Sequence, residues 1–343
     1  MKTPVLVLFL LLLPFFAGAH PSWGLAITPS GDLYFVDVLH HGDGTLWKLD
    51  RHGKVTPVLT QFHSHDLFLA ADGRLWLAQA IWRTGEIEGE GHNYLLRYDP
   101  NTEALDTLVF TDDWDEFYGS SIAADGSQSV LFTIGNQVFR KQFDGPTELL
   151  FEHRFERINT LCSDPDGGLW ITDKDLQQGS LLRWTPADGL DSIATKLIPT
   201  APSNPPFPET RFHLFYGINC QETGKIYVAE SAGRQILEVD EMGRTTTFYQ
   251  SESPWYPVNL VFQEGVTFVM EVGYEKEHLG PRILRLGLDG RREVLADLTV
   301  PPPARSATPG TNPQDGKMPF RWWWLGVIAV ALLPLAGLKR RER

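Results

Sequence analysis

The residues best equipped for chemistry fall into three groups. His65 titrates near neutral pH and, with His63 and Asp66 beside it, could serve as a catalytic base or a ligand. Its competing role is that of a hydrogen-bonded loop histidine. Asp37, Asp173, Glu230 and Glu271, with Asn159, offer the hard oxygen donors that a divalent cation such as calcium or magnesium needs. Brought to one place, these carboxylates would bind a cation or shift one another's pKa values. An acid at a strand end can instead accept N–H groups of the next turn, which requires no ligand. Trp23, Tyr118, Tyr216 and Tyr256, with the amide of Asn159, supply faces for gripping a small molecule or a partner segment. Glu86, Glu88, Glu90 and His92 alternate, so on a strand they would share one face, as a solvated hairpin tip or a metal site. Nothing matches a nucleophile elbow, a phosphate-binding loop or Cys/His zinc spacing.

A repeat places these residues. Six copies begin at Trp23, His65, Tyr118, Asn159, Tyr216 and Pro257, each running through an apolar stretch and a Gly-containing turn into a short strand. Five of those strands end on Asp37, Gln79, Asp173, Glu230 and Glu271. Each copy continues into a second hairpin, as in Thr45–Asp50, Tyr94–Asp99, Gln137–Lys141, Ser180–Trp184, Gln235–Asp240 and Arg282–Leu286. Four short alternating strands per unit of about 40–57 residues predict an all-β, six-bladed β-propeller over residues 20–300. In such a ring the first residue of each copy faces the central channel. Leu197–Arg211, rich in proline, precedes one mouth loop and is placed to act as a lid.

The cores Asp72-Gly-Arg-Leu-Trp-Leu-Ala78 and Asp166-Gly-Gly-Leu-Trp-Ile-Thr-Asp173 resemble those of NHL-repeat and senescence-marker/gluconolactonase-like propellers. That resemblance implies the fold and leaves the function open, since such propellers include hydrolases, lyases and binding modules. Gluconolactonase-like relatives hold a divalent metal through Glu, Asn and Asp. Asn159 matches that set, while Trp23 stands where Glu is expected and Tyr216 where Asp is expected. His65 with Glu230 or Glu271 resembles the His/Glu metal site of streptogramin lyases. The leading expectation is a module that binds a small molecule or protein at the channel mouth. The alternative is a metal-dependent hydrolase or lyase using His65 and the carboxylates, and a third reading is a scaffold in a membrane complex.

The ends of the chain speak to location. Residues 1–19 carry Lys2, an apolar run from Val5 to Phe16 and Ala17-Gly18-Ala19, the three regions of a secretory signal peptide. Residues 301–319 hold six prolines and read as a semi-rigid linker. Residues 320–338 are apolar apart from Arg321 and carry three tryptophans, and 339–343 form a basic tail; together they predict a transmembrane helix with a cytoplasmic end. This layout resembles the C-terminal sorting tails of Gram-negative bacteria, without their Pro-Glu-Pro motif. The propeller is therefore expected on the extracytoplasmic side, periplasmic or at the cell surface. The chain carries −13; its two ends hold eight Lys/Arg and two Asp/Glu, so the domain between them carries −19, which repels nucleic acid. Cys162 and Cys220 fall one residue out of phase in neighbouring copies, which favours two buried free thiols over a disulfide.

Overall fold

A computed structural model describes residues 22–299, except 43, 83–90, 165, 175–177, 200–213, 222 and 274–277. Residues 1–19, expected to form a signal peptide, and 301–343, expected to form the linker, transmembrane helix and basic tail, lie outside the described residues, as do Glu86, Glu88, Glu90 and most of the proline-rich insertion. No helix among the described residues is long and apolar enough to cross a membrane.

Among the described residues, 24 strands make six antiparallel four-stranded sheets, each from one continuous stretch of chain. The first blade holds β1 (Leu25–Ile27), β2 (Leu33–Asp37), β3 (Thr45–Leu49) and β4 (Val55–Thr60). The second holds β5 (Leu67–Leu69), β6 (Leu75–Trp82), β7 (Gly91–Tyr98) and β8 (Leu105–Thr111). The third runs through β9 (Ile122–Ala124), β10 (Ser129–Ile134), β11 (Gln137–Gln142) and β12 (Thr147–Leu149). In the fourth are β13 (Ile158–Ser163), β14 (Leu169–Asp173), β15 (Ser180–Thr185) and β16 (Gly189–Thr195). The fifth consists of β17 (Phe215–Cys220), β18 (Ile226–Glu230), β19 (Gln235–Val239) and β20 (Thr245–Gln250). The sixth ends the ring with β21 (Trp255–Gln263), β22 (Val266–Gly273), β23 (Gly280–Leu286) and β24 (Arg292–Asp297). The innermost strands β1, β5, β9, β13, β17 and β21 neighbour one another in that order and back to β1, so the blades close into a circle.

The core lies between blades. Successive side chains of a strand point to opposite faces, and in β2 both faces are covered. Leu33 and Phe35 pack towards the sixth blade, with Tyr256 and Val258, while Tyr34 and Val36 pack towards the second, with Leu67 and Leu77. This two-sided burial is why β2, β14 and β18 carry almost no polar residue before their last positions. Blades approach most closely at the axis. A Cβ on Gly24 would stand 2.6 Å from Val36 Cγ2 and 2.9 Å from Leu67 N, and one on Gly119 would stand 2.6 Å from Gln79 O. Glycine after the mouth aromatic thus lets one blade seat its backbone on the next.

Each seam of the ring is bonded near the axis. Trp23 N and Gly24 N donate to His65 O at 2.8 and 2.9 Å, and Leu161 N donates to Ser121 Oγ at 3.1 Å. Among the described residues no strand is exchanged between first and last blades, and side chains bond that seam: Asn259 Nδ2 donates to Trp23 O at 2.7 Å and Gln263 Nε2 to Thr28 O at 3.0 Å.

The fourth seam corrects the expectation of free thiols, because Cys162 on β13 and Cys220 on β17 form a disulfide with Cα atoms 6.4 Å apart. Neighbouring innermost strands share no hydrogen-bond ladder. No common register therefore ties equal positions together, and a one-residue phase difference is absorbed in the side-by-side packing. The bridge closes a loop of 58 residues, so replacing both cysteines with serine is expected to cost about 2–4 kcal/mol. Urea unfolding of the oxidised wild type and the double variant measures this; equal midpoints would show that the bridge adds nothing.

Candidate functional site

The loop entering each innermost strand sits at one end of the channel. The last residue of each second strand returns to that end, as the antiparallel pairs Ile158 with Asp173, Phe215 with Glu230 and Pro257 with Glu271 require. Four of the expected mouth residues meet there. The Trp23 and His65 rings stack with centroids 5.5 Å apart; Tyr216 tilts against Trp23 at 6.4 Å and stacks on Tyr256 at 5.9 Å. All four are buried, so they pack on one another as an aromatic plug. His65 Nε2 lies 3.1 Å from His63 Nε2, one ring donating to the other. Tyr118 is half-buried against Trp114, with centroids 5.2 Å apart, and Asn159 gives its amide N–H to Phe215 O in the next blade at 2.7 Å.

The expected metal ligands are each engaged in their own neighbourhood. Asp37 accepts from Leu39 N at 2.7 Å and Trp47 Nε1 at 3.1 Å and pairs closely with His40. That bond raises the His40 pKa against the opposing effect of burial. Asp173 accepts from Arg157 N at 2.8 Å and Glu156 N at 3.3 Å. Burial pushes the Glu230 carboxyl up to about 7, although the N–H groups of Gly233 and Ala232 and the Gln235 amide favour its charged form. Glu271, fully buried, accepts from Tyr249 OH at 2.8 Å, Arg282 Nε at 2.6 Å and the Ser251 hydroxyl, and Arg282 lies 3.9 Å over the Trp255 ring. Among the described residues, no group of three or more His, Cys, Asp or Glu is arranged to hold a metal ion. His92 packs its ring on Phe110 at 5.4 Å.

Inside the ring lies a cavity of about 300 Å³, walled by all six innermost strands. Its wall includes Leu25, Leu67, Ile122, Ile218 and Phe262, with Thr160, Ser163, Asn219, Gln221 and Asn259 supplying hydroxyls and amides. Asp66 also lines it. The carboxylate accepts from Leu67 N at 2.9 Å and, across the seam to the third blade, from Ser121 Oγ and Ile122 N, both at 3.1 Å. Burial pushes its pKa from 3.8 up to about 7 despite these donors. Sequence reasoning noted Asp66 only as a neighbour of His65. The second positions of the six copies carry the missing signal: Gly24, Asp66, Gly119, Thr160, Gly217 and Val258 include a single charge.

These blades and their axial cavity define a six-bladed β-propeller. No family model matches the chain, and no curated protein matches it. Solved structures match its fold. A streptogramin B lyase is 16% identical with a TM-score of 0.51, over 80% of this chain and 84% of that one. Regucalcin from Agrobacterium tumefaciens, described as a calcium-binding protein, is 15% identical with a TM-score of 0.52, over 73% and 83%. An oxidoreductase of the glucose dehydrogenase kind from Thermus thermophilus is 14% identical with a TM-score of 0.52, over 78% and 97%. The likeness that the Asp-Gly cores carry therefore holds at the level of fold.

Proposed function

We propose that this chain is a membrane-tethered, extracytoplasmic β-propeller that binds a small molecule in its central channel. The observation that carries the reading is the cavity of about 300 Å³, walled by every blade and holding one buried carboxylate among hydroxyls and amides. Ligand sites are concave and mostly apolar, with a few placed polar groups, and begin at about this volume. The aromatic plug fits the same reading, since a stack of four buried rings separates such a ligand from solvent at one end. Export and tethering rest on the signal-like residues 1–19 and the apolar segment 320–338 with its basic tail.

A ligand screen on the detergent-solubilised full chain tests the binding. Asn219→Trp fills the channel from its wall and is expected to abolish every hit while leaving the circular dichroism spectrum unchanged. Hits that persist in this variant, or the absence of any hit with wild type, would overturn the channel reading. The tether has its own test. The protein is expected to stay with membranes through alkaline extraction and to move to the soluble exported fraction when residues 320–343 are deleted.

A further inference from the structure

The cavity wall poses an electrostatic problem. Among the described residues that line it, Asp66 is the only charged one, and no lysine, arginine or histidine faces it there. A carboxylate withdrawn from water is costly where the cavity wall offers no counter-charge, and three hydrogen bonds reduce that cost without cancelling the charge. The groups packed around it do not resolve this. Ser121 and Ile122 lie across the seam and the Trp23 side chain favours the charged form, but all three are neutral donors, and the adjacent His65 stacks on Trp23 and bonds His63 in the plug.

We infer that the channel takes a small organic ammonium ion whose charge neutralises Asp66 and whose hydrocarbon part lies against Leu67, Ile122 and Phe262. This deepens the channel-binding reading and rests on it. A divalent metal is a poor fit, because such an ion draws several oxygens, usually more than one carboxylate, and among the described residues no group of three or more His, Cys, Asp or Glu is arranged to hold one. An alkylammonium needs one anionic partner, a few acceptors such as Thr160, and apolar wall for the rest, which is what the cavity offers. In a water-poor site the pairing is stronger than the same contact at the surface.

Calorimetry on the solubilised full chain, with n-butylamine, n-butanol and butyrate as probes of similar shape, tests the charge. Butylamine is expected to bind at pH 8, with butanol and butyrate at least tenfold weaker. Asp66 carries its proton on the acid side of about 7, whereas an alkylamine stays protonated throughout, so affinity for butylamine is expected to fall about tenfold from pH 8 to pH 6. Asp66→Asn, which keeps an oxygen for Ser121 and Ile122, is expected to remove both the binding and its pH dependence. Should that variant fail to fold, the wild-type pH series decides alone. Equal binding of butylamine and butanol, or affinity independent of pH, would overturn the inference while leaving the channel reading intact. Absence of any channel ligand would remove both. A peptide ending in lysine, run in parallel, separates a free amine from a partner's side chain, and binding of the peptide alone would overturn the small-ligand form.

Discussion

Replacing Glu271 with alanine is expected to lower the unfolding free energy by about 3–5 kcal/mol, the range for breaking a buried ion pair from one side. Glu271 is fully buried and serves three donors on two blades: Tyr249 and Ser251 on the fifth, Arg282 on its own. Truncation leaves the Arg282 guanidinium without its anion over Trp255 and leaves two hydroxyls without an acceptor. Glu271→Gln keeps an acceptor but loses the charge, so its cost should fall between wild type and alanine. Urea denaturation gives both numbers. A loss under about 1 kcal/mol for the alanine variant would mean that these donors find other partners, and the seam between the last two blades would then rest on apolar packing.

Stability is expected to fall as pH rises from about 5 to about 8. Asp66 and Glu230 both titrate near 7 in the folded chain, against ordinary values of 3.8 and 4.5. Between those values and 7 the folded state holds protons that the unfolded chain has released, so each rise in pH favours unfolding. At about 1.4 kcal/mol per unit, the two units between pH 5 and the folded value of about 7 set a ceiling of about 3 kcal/mol for each. His40, raised by its bond to Asp37, slopes the same way above its ordinary value of 6.5, because its extra stability is lost as it deprotonates. Acid brings the opposite trend. Glu116 and Glu238, held low by Lys141 and Lys225, give up their contribution as the pH drops below their ordinary value of 4.5. The optimum should therefore lie between about pH 4 and pH 5, where the two trends meet. Chemical denaturation at pH 5 and pH 8 measures the slope, and Glu230→Gln should flatten part of it. Stability that rises across this interval would contradict the raised pKa values that burial gives both acids.

The architecture was legible because a propeller repeats its own grammar. Copies starting at Trp23, His65, Tyr118, Asn159, Tyr216 and Pro257 each deliver an innermost strand, and the second hairpin read from Gln137–Lys141 or Ser180–Trp184 is β11 or β15 to within a residue. The mouth was legible in part. Trp23, His65, Tyr216 and Tyr256 do meet, but that they close on each other is a matter of rotamers and of small offsets between blades, which sequence pattern does not carry. The seams were least legible. Asp66 reaching Ser121, Asn159 reaching Phe215 and Cys162 reaching Cys220 join strands with no shared ladder, so neither period nor turn chemistry announces them.

The unexchanged first and last blades have a mechanical consequence. In a ring whose final sheet borrowed a strand from the other terminus, a pull on either end would load several ladder bonds at once, in shear. Here β24 pairs only with β23 among the described residues, and Asp297, the last residue of β24, pairs with Arg282 at one end of that ladder. Tension on the C-terminus therefore meets those bonds one after another, like a zip, with Asn259, Gln263 and the apolar packing of Leu33 and Phe35 on Tyr256 and Val258 left to hold the circle. If the chain is tethered by that end, drag on the domain is borne first by its weakest line of bonds, and the sixth blade is where the circle would part.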